Sequence, residues 1–230
     1  KVYAVEPSPR NFEILNHSVK INNFQNVIES FPLAISSSSG YRDLNISNES
    51  NLNSFIETKY TKDTIKVKTT SIDDFFEDRR FPNFIKMDIE GAEVDALAGI
   101  DKILNHNNEC MKILMEIHPM YYERDAFADQ LKRLFDLGFK TKYLVSAGVA
   151  RPEYFKKRGY LPDKIYHTGD FSRGVYTNVK DKHVIESCSN LFDNQFGRLG
   201  IITILKRPYR IFKTKFHSPK IVRSIMLQRN

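Results

Sequence analysis

The hydrophobic positions of this chain alternate between short runs and helical spacing, and that alternation predicts the elements. Residues 2–6, VYAVE, are an apolar, β-branched run stopped by Pro7-Ser8-Pro9, the pattern of a buried strand ending in a turn. Phe12, Leu15 and Val19 then recur at helical spacing behind the capping signal of Ser8. NVIESFPLAIS, from Asn26, is a second strand-like run, closed by four serines and Gly40. Residues 41–70 are polar and β-prone, with TIKVKTTSI alternating from Thr64, which predicts an antiparallel excursion. SIDDFFED predicts a short helix.

FIKMDIEGAEVDALAGIDKIL is the clearest unit. It reads as a strand through Met87, a turn, and a helix with Val94, Leu97 and Ile100 on one face. KILMEIHP is another buried strand, stopped by Pro119. RDAFADQLKRLFDLGF is an amphipathic helix ended by Gly138, and KTKYLVS a following strand. Residues 146–174, rich in Gly, Pro and Tyr/Phe, are expected to form a long ordered loop or lid. GVYTNV is expected as a last strand and DKHVIESCSNLF as a helix. Strand–helix alternation of this kind implies an α/β fold with a mostly parallel sheet and helices on both faces.

Composition narrows the function classes. A 230-residue chain that is 41% hydrophobic and 27% charged is an ordinary globular domain, not a fibre or a disordered tail. Its longest apolar runs are about six residues, far short of the ~20 of a membrane span. Two distant cysteines, Cys110 and Cys188, fit a reducing, cytoplasmic setting better than a disulfide framework, and neither has the neighbours of a catalytic thiol.

The net charge of +7 is unevenly placed. No acidic residue follows Asp193, whereas nine Lys/Arg do, so residues 1–193 are near neutral with 26 basic against 28 acidic side chains. The expected organisation is a domain over 1–193 and a basic, apolar C-terminal extension over 194–230. Interleaved apolar and basic residues in 198–230 suit peripheral contact with an anionic membrane more than nucleic acid, since few stacking aromatics are present.

Three clusters carry candidate chemistry. Glu6 ends a strand, where nucleotide-binding α/β folds hold a ribose diol by two carboxylate oxygens; the plain alternative is a carboxylate that merely closes a strand. Asp88 and Glu90, in KMDIEGAE, sit where a strand leaves the sheet, the usual ligand edge of an open α/β fold. Glu93 and Asp95 suit the first turn of a helix on electrostatic grounds alone. Glu116 and His118, two apart at the next strand end, share a face and could take a proton from a hydroxyl. The spacing of Asp88, Glu90 and His118 is not diagnostic of a divalent ion, and no metal is expected.

Together, VYAVEPSPRNFEILNHSVKINN, TTSIDDFF, FIKMDIEGAEVDALAG and ILMEIHP resemble, in order and spacing, the FkbM-type S-adenosylmethionine-dependent methyltransferases over roughly residues 1–145. The resemblance implies a Rossmann-like class I methyltransferase sheet and S-adenosylmethionine as cofactor. Glu6 would lie on its ribose, and Phe31, Leu33 and Ala34 along its adenine. Asp88 and Glu90 would face the methyl-transfer site, with Glu116 and His118 near it. It also implies O-methylation, often of a sugar hydroxyl in a glycan or natural product, with lipid-linked acceptors among those expected. That sheet's first strand and glycine-rich turn are not found in the sequence. Residues 1–230 are therefore expected to be the larger part of a longer protein and to bind the cofactor poorly alone. The rival is a nicotinamide-dependent oxidoreductase, which uses the same strand-ending acid, although Tyr121, Tyr122 and Tyr143 have no lysine four residues on. A third reading is a non-catalytic domain binding acidic partners through its basic tail.

Overall fold

A computed structural model of the chain describes residues 1–49, 52–106, 110–169, 171–189 and 220–229. The chain divides into two compact units, Lys1–Phe81 with Ile89–Asn107, and Pro82–Asp88 with Asn108–Asn230. No helix among the described residues is long and apolar enough to cross a membrane.

In the first unit, β1 (Val2–Val5) leads into α1 (Pro9–Ile21) and pairs in parallel with β2 (Ile28–Phe31). The run expected as one strand from Asn26 is split at Pro32, and its second part is the short β3 (Ala34–Ile35). β4 (Gly40–Ser47) and β5 (Thr61–Thr70) form the expected antiparallel excursion, with β3 added in parallel to β5. Ala34, Leu44 and Val67 make the apolar cluster of that sheet.

The TTSIDDFF block has a physical role here. Ser71 caps α2 (Ile72–Phe75) by accepting from the Asp74 N–H at 3.0 Å. Asp73, almost fully buried, accepts from the Lys102 and Ile103 N–H groups at 2.8 and 3.1 Å, at the start of α4 (Asp101–Asn105). It thus satisfies donors that the first turn of a helix leaves open. The helix expected to run on from Glu93 is broken: α3 (Glu93–Ala98) stops at Gly99. A Cβ on Gly99 would lie 2.8 Å from the Ser36 carbonyl oxygen and 2.9 Å from the Ser71 Cβ, so only glycine fits.

The second unit holds a six-stranded sheet in the order β6-β7-β11-β8-β10-β9. Its strands are β6 (Phe84–Met87), β7 (Met111–Glu116), β8 (Lys140–Ser146), β9 (Lys164–Thr168), β10 (Phe171–Tyr176) and β11 (Val222–Arg229). β6 and β7 are parallel; β11 runs antiparallel to both β7 and β8. The buried set of strand residues, including Ile113, Met115, Leu144, Ile225 and Leu227, shares the core with Phe127, Leu131 and Leu134 of α5 (Arg124–Asp136) and Val184 and Cys188 of α7 (Asp181–Ser189).

Two expectations are corrected. Residues 146–174 are not one loop or lid: they contain α6 (Glu153–Lys156), β9 and most of β10, the last two paired as an antiparallel ribbon. The sheet is mixed rather than mostly parallel, because the end of the expected C-terminal extension is a strand in its interior. Ile221, Val222, Ile225 and Leu227 are at most 1% exposed, which places residues 220–229 in the folded body. Residues 194–219, with the basic residues from Arg198 to Lys215, lie outside the described residues.

Asp73→Ala is expected to destabilise the chain by about 1.5–3 kcal/mol, the worth of charge-assisted hydrogen bonds to one buried and one part-buried N–H group. Asp73→Asn, which keeps an acceptor, should recover part of it. Urea unfolding of both variants checks this; wild-type stability for Asp73→Ala would show that the cap is idle.

Candidate functional site

Glu6 follows β1 directly, and its own N–H donates to the Phe31 carbonyl at 3.1 Å. Its carboxylate accepts from the Ser8 N–H at 2.8 Å and from the Asn11 side chain. Burial nevertheless dominates and pushes its pKa above the usual 4.5, the Ser8 and Asn11 bonds only partly offsetting it. A half-buried carboxylate at a strand end, short of solvation, gains from further hydroxyl donors.

Phe31 ends β2 with its ring edge-on to Phe75 at 4.9 Å, and the Arg79 guanidinium lies 5.2 Å from its centroid. Leu33 is half-buried in the link to β3. Ala34 is only 5% exposed, its methyl taken up by the cluster with Leu44 and Val67, so Phe31 and Leu33 are the accessible pair of the three adenine candidates.

Glu90 and Gly91 both have positive φ, 47° and 101°. The turn is held by the Ser54 hydroxyl, which donates to the Glu90 carbonyl at 2.7 Å. Glu93 lies in the first turn of α3, as expected, and is fully buried. Asp95 is ion-paired with Arg42, whose guanidinium stacks 4.0 Å from the Phe55 ring centroid.

In the second unit, Asp88 just beyond β6 and Glu116 and His118 at the end of β7 come together, as their positions on adjacent parallel strands require. His118 is 5% exposed. Its Nε2 lies 4.0 Å from Asp88 Oδ1 and 3.8 Å from Glu116 Oε1, ion-pair rather than hydrogen-bond separations. Glu116 is also clamped from β11 and the residue before its lead-in. Lys220 Nζ is 3.2 Å from Oε1 and donates to the Ile117 carbonyl at 2.8 Å, and an Arg223 nitrogen is 3.0 Å from Oε2. These two cations were not identifiable as site residues from sequence; only their membership of the basic stretch was visible.

Asp88, Glu116 and His118 each present a ligand atom within 4.8 Å of the others, the spacing of a divalent-ion site. Lys220 and Arg223 already engage both Glu116 oxygens, and their positive charge opposes a cation there. The set is better suited to holding an imidazole. Neither cysteine is poised for chemistry: both are free thiols, and burial pushes Cys188 up to about 12.

The sequence profile described as the methyltransferase FkbM domain matches residues 1–141. No curated protein matches the chain. Among solved structures, the methyltransferase FkbM of Methylobacillus flagellatus KT is similar, with 20% identity and a TM-score of 0.40, over 64% of this chain and 32% of that protein. The chain thus spans about a third of the length of that solved relative.

Lys220→Met is expected to destabilise the chain by roughly 2–3 kcal/mol, toward the lower end for a buried pair because Arg223 still faces Glu116. Adding Glu116→Gln should return most of the loss. Thermal or urea unfolding of the single and double variants decides, and an additive cycle would mean the ion pair is energetically idle.

Proposed function

The chain belongs to the methyltransferase FkbM domain family, and on that footing we propose that it serves S-adenosylmethionine-dependent methylation of a hydroxyl oxygen, with a sugar or glycan as acceptor. The observation that carries the chemistry is the buried His118 flanked by Asp88 at the carboxyl ends of two parallel strands, where open α/β sheets bind ligands. S-adenosylmethionine supplies an electrophilic methyl group when bound.

The residues of this chain do the rest. A sugar hydroxyl is a weak nucleophile, and His118 Nε2 takes its proton as the oxygen bonds to carbon. Asp88 lies on the same side of the imidazole and stabilises the imidazolium that results. Glu116, with both carboxylate oxygens engaged by cations, acts as a fixed strut beside the ring. Most of the rate comes from alignment of the reacting atoms, which a rigid strand-end site supplies.

The fit of the cofactor rests on Glu6. Its carboxylate, half-buried and bonded so far to one backbone and one side-chain donor, would accept from the two ribose hydroxyls, while Phe31 and Leu33 offer apolar surface to the adenine.

Glu6→Gln gives a two-sided test. It should weaken S-adenosylmethionine binding by ~1.5–3 kcal/mol in calorimetry on the intact protein. The same change should stabilise the unliganded fold. A carboxylate whose pKa is raised on folding costs nothing below its ordinary value near 4.5 and disfavours the folded state as the pH rises above it. The gain should therefore be present at pH 7 and absent at pH 4. Unchanged cofactor affinity would sink the ribose assignment.

His118→Ala should lower the methylation rate ~10²–10⁴-fold on a panel of methyl glycosides with radiolabelled S-adenosylmethionine, leaving cofactor affinity within about twofold. Normal turnover would move the base elsewhere.

A further inference from the structure

The two faces of the six-stranded sheet differ. One carries the core shared with α5 and α7. On the other, Leu114, Val145, Val175 and Met226 are only partly buried and floor a groove of about 450 Å³. Tyr143 and Tyr166, 42% and 46% exposed, also line it.

The strand registers tie this groove to the candidate catalytic cluster. Ser224, a lining residue, pairs with Glu116 on one side and with Val145 on the other, and Val145 pairs with Val175. The groove therefore begins one strand away from Glu116. A register shift between Val222 and Ser224 interrupts the β11–β8 ladder at Arg223, whose side chain reaches Glu116. Arg173 pairs across β9 with Tyr166 and lies within electrostatic range of both Arg223 and Glu116.

The charges around this end do not balance. Lys86, Lys220, Arg223 and Arg173 face Asp88 and Glu116, which leaves two positive charges in excess. An apolar floor, two accessible phenol rings and a surplus of guanidinium at the edge nearest the candidate base form a consistent recognition pattern. Rings stack on tyrosines, apolar surface is removed from water along the floor, and an acidic group completes the charge.

We propose that this groove binds an anionic amphiphile, a flat apolar or ring-shaped body bearing an acidic group that sits by Arg173 and Arg223. On the methyltransferase reading, this ligand is the anionic, apolar portion that carries the sugar acceptor, with the sugar hydroxyl toward His118. The binding claim itself does not need that reading.

The test uses the full chain without cofactor and two fluorescent probes of similar body, 1-anilinonaphthalene-8-sulfonate and the uncharged N-phenyl-1-naphthylamine. The sulfonate should bind saturably at one site and at least fivefold tighter than the neutral probe at low salt. Arg173→Gln should remove most of that preference while leaving the neutral probe unaffected. Tyr143→Ala and Tyr166→Ala, at exposed positions where folding is preserved, should weaken both probes at least threefold. Circular dichroism melts confirm that each variant is folded. Three outcomes overturn the proposal: no saturable binding, equal affinity for the two probes, or sulfonate binding that all three substitutions leave intact. Failure of cofactor binding in calorimetry would instead remove the acceptor assignment and leave the groove's own result standing.

Discussion

The second unit depends on one strand arriving from far along the chain. β11 enters between β7 and β8 and bonds to both, so that Ile225 and Leu227 become fully buried. Without it, two strands that run in the same direction would each present an open ladder edge, with unpaired N–H and C=O groups in the middle of an apolar sheet. The closure is non-local: Glu116 and Lys220 are 104 residues apart in sequence. Such pairing forms late and slowly, because loop-closure entropy must be met before any contact is gained.

β11 also fixes the electrostatics at the sheet's carboxyl edge. Lys220 and Arg223 each engage one of the Glu116 oxygens, so that carboxylate is held from β11 and its lead-in. Asp88, 39% exposed and 3.5 Å from Lys86, keeps a partly solvated charge beside the same imidazole nitrogen. The same side-chain chemistry thus splits into two roles by environment: a strut held by two cations and a partly exposed counter-charge.

Much of this was legible in the sequence. β1, α1, β6, β7, α5 and β8 follow from periodicity and stop signals, and Asp88, Glu116 and His118 meet because strand ends on adjacent parallel strands must. The failures have specific causes. Gly99 reads as an ordinary helix-tolerant glycine, and only the Ser36 and Ser71 backbone and Cβ contacts reveal why the helix breaks there. KIVRSIMLQR from Lys220 reads as a basic tail because its charges are counted along the chain. In the sheet the apolar set turns inward, while Lys220 and Arg223 are drawn to a carboxylate no local pattern can indicate. Glu93 does lie in a helix's first turn, but macrodipole reasoning says nothing of burial, so its fully buried position was not legible. The apparent loop at 146–174 hid a ribbon because β9, exposed at all five positions, has no apolar alternation to detect.

The Glu90–Gly91 turn shows why the EG pair in KMDIEGAE is a backbone demand as much as a chemical one. A φ of 101° at Gly91 is closed to any side chain with a Cβ, so that glycine is obligatory for the chain to leave β6 and enter α3 over so few residues. The φ of 47° at Glu90 is left-handed and costs a non-glycine residue roughly 1–2 kcal/mol. Glycine there would remove that penalty, and asparagine would lessen it. The sequence keeps glutamate, and the Ser54 hydroxyl holds its carbonyl so that the conformation persists. Local strain is thus retained at this strand exit, where glycine or asparagine would relieve it, and the Ser54 bond is what holds the backbone against that strain.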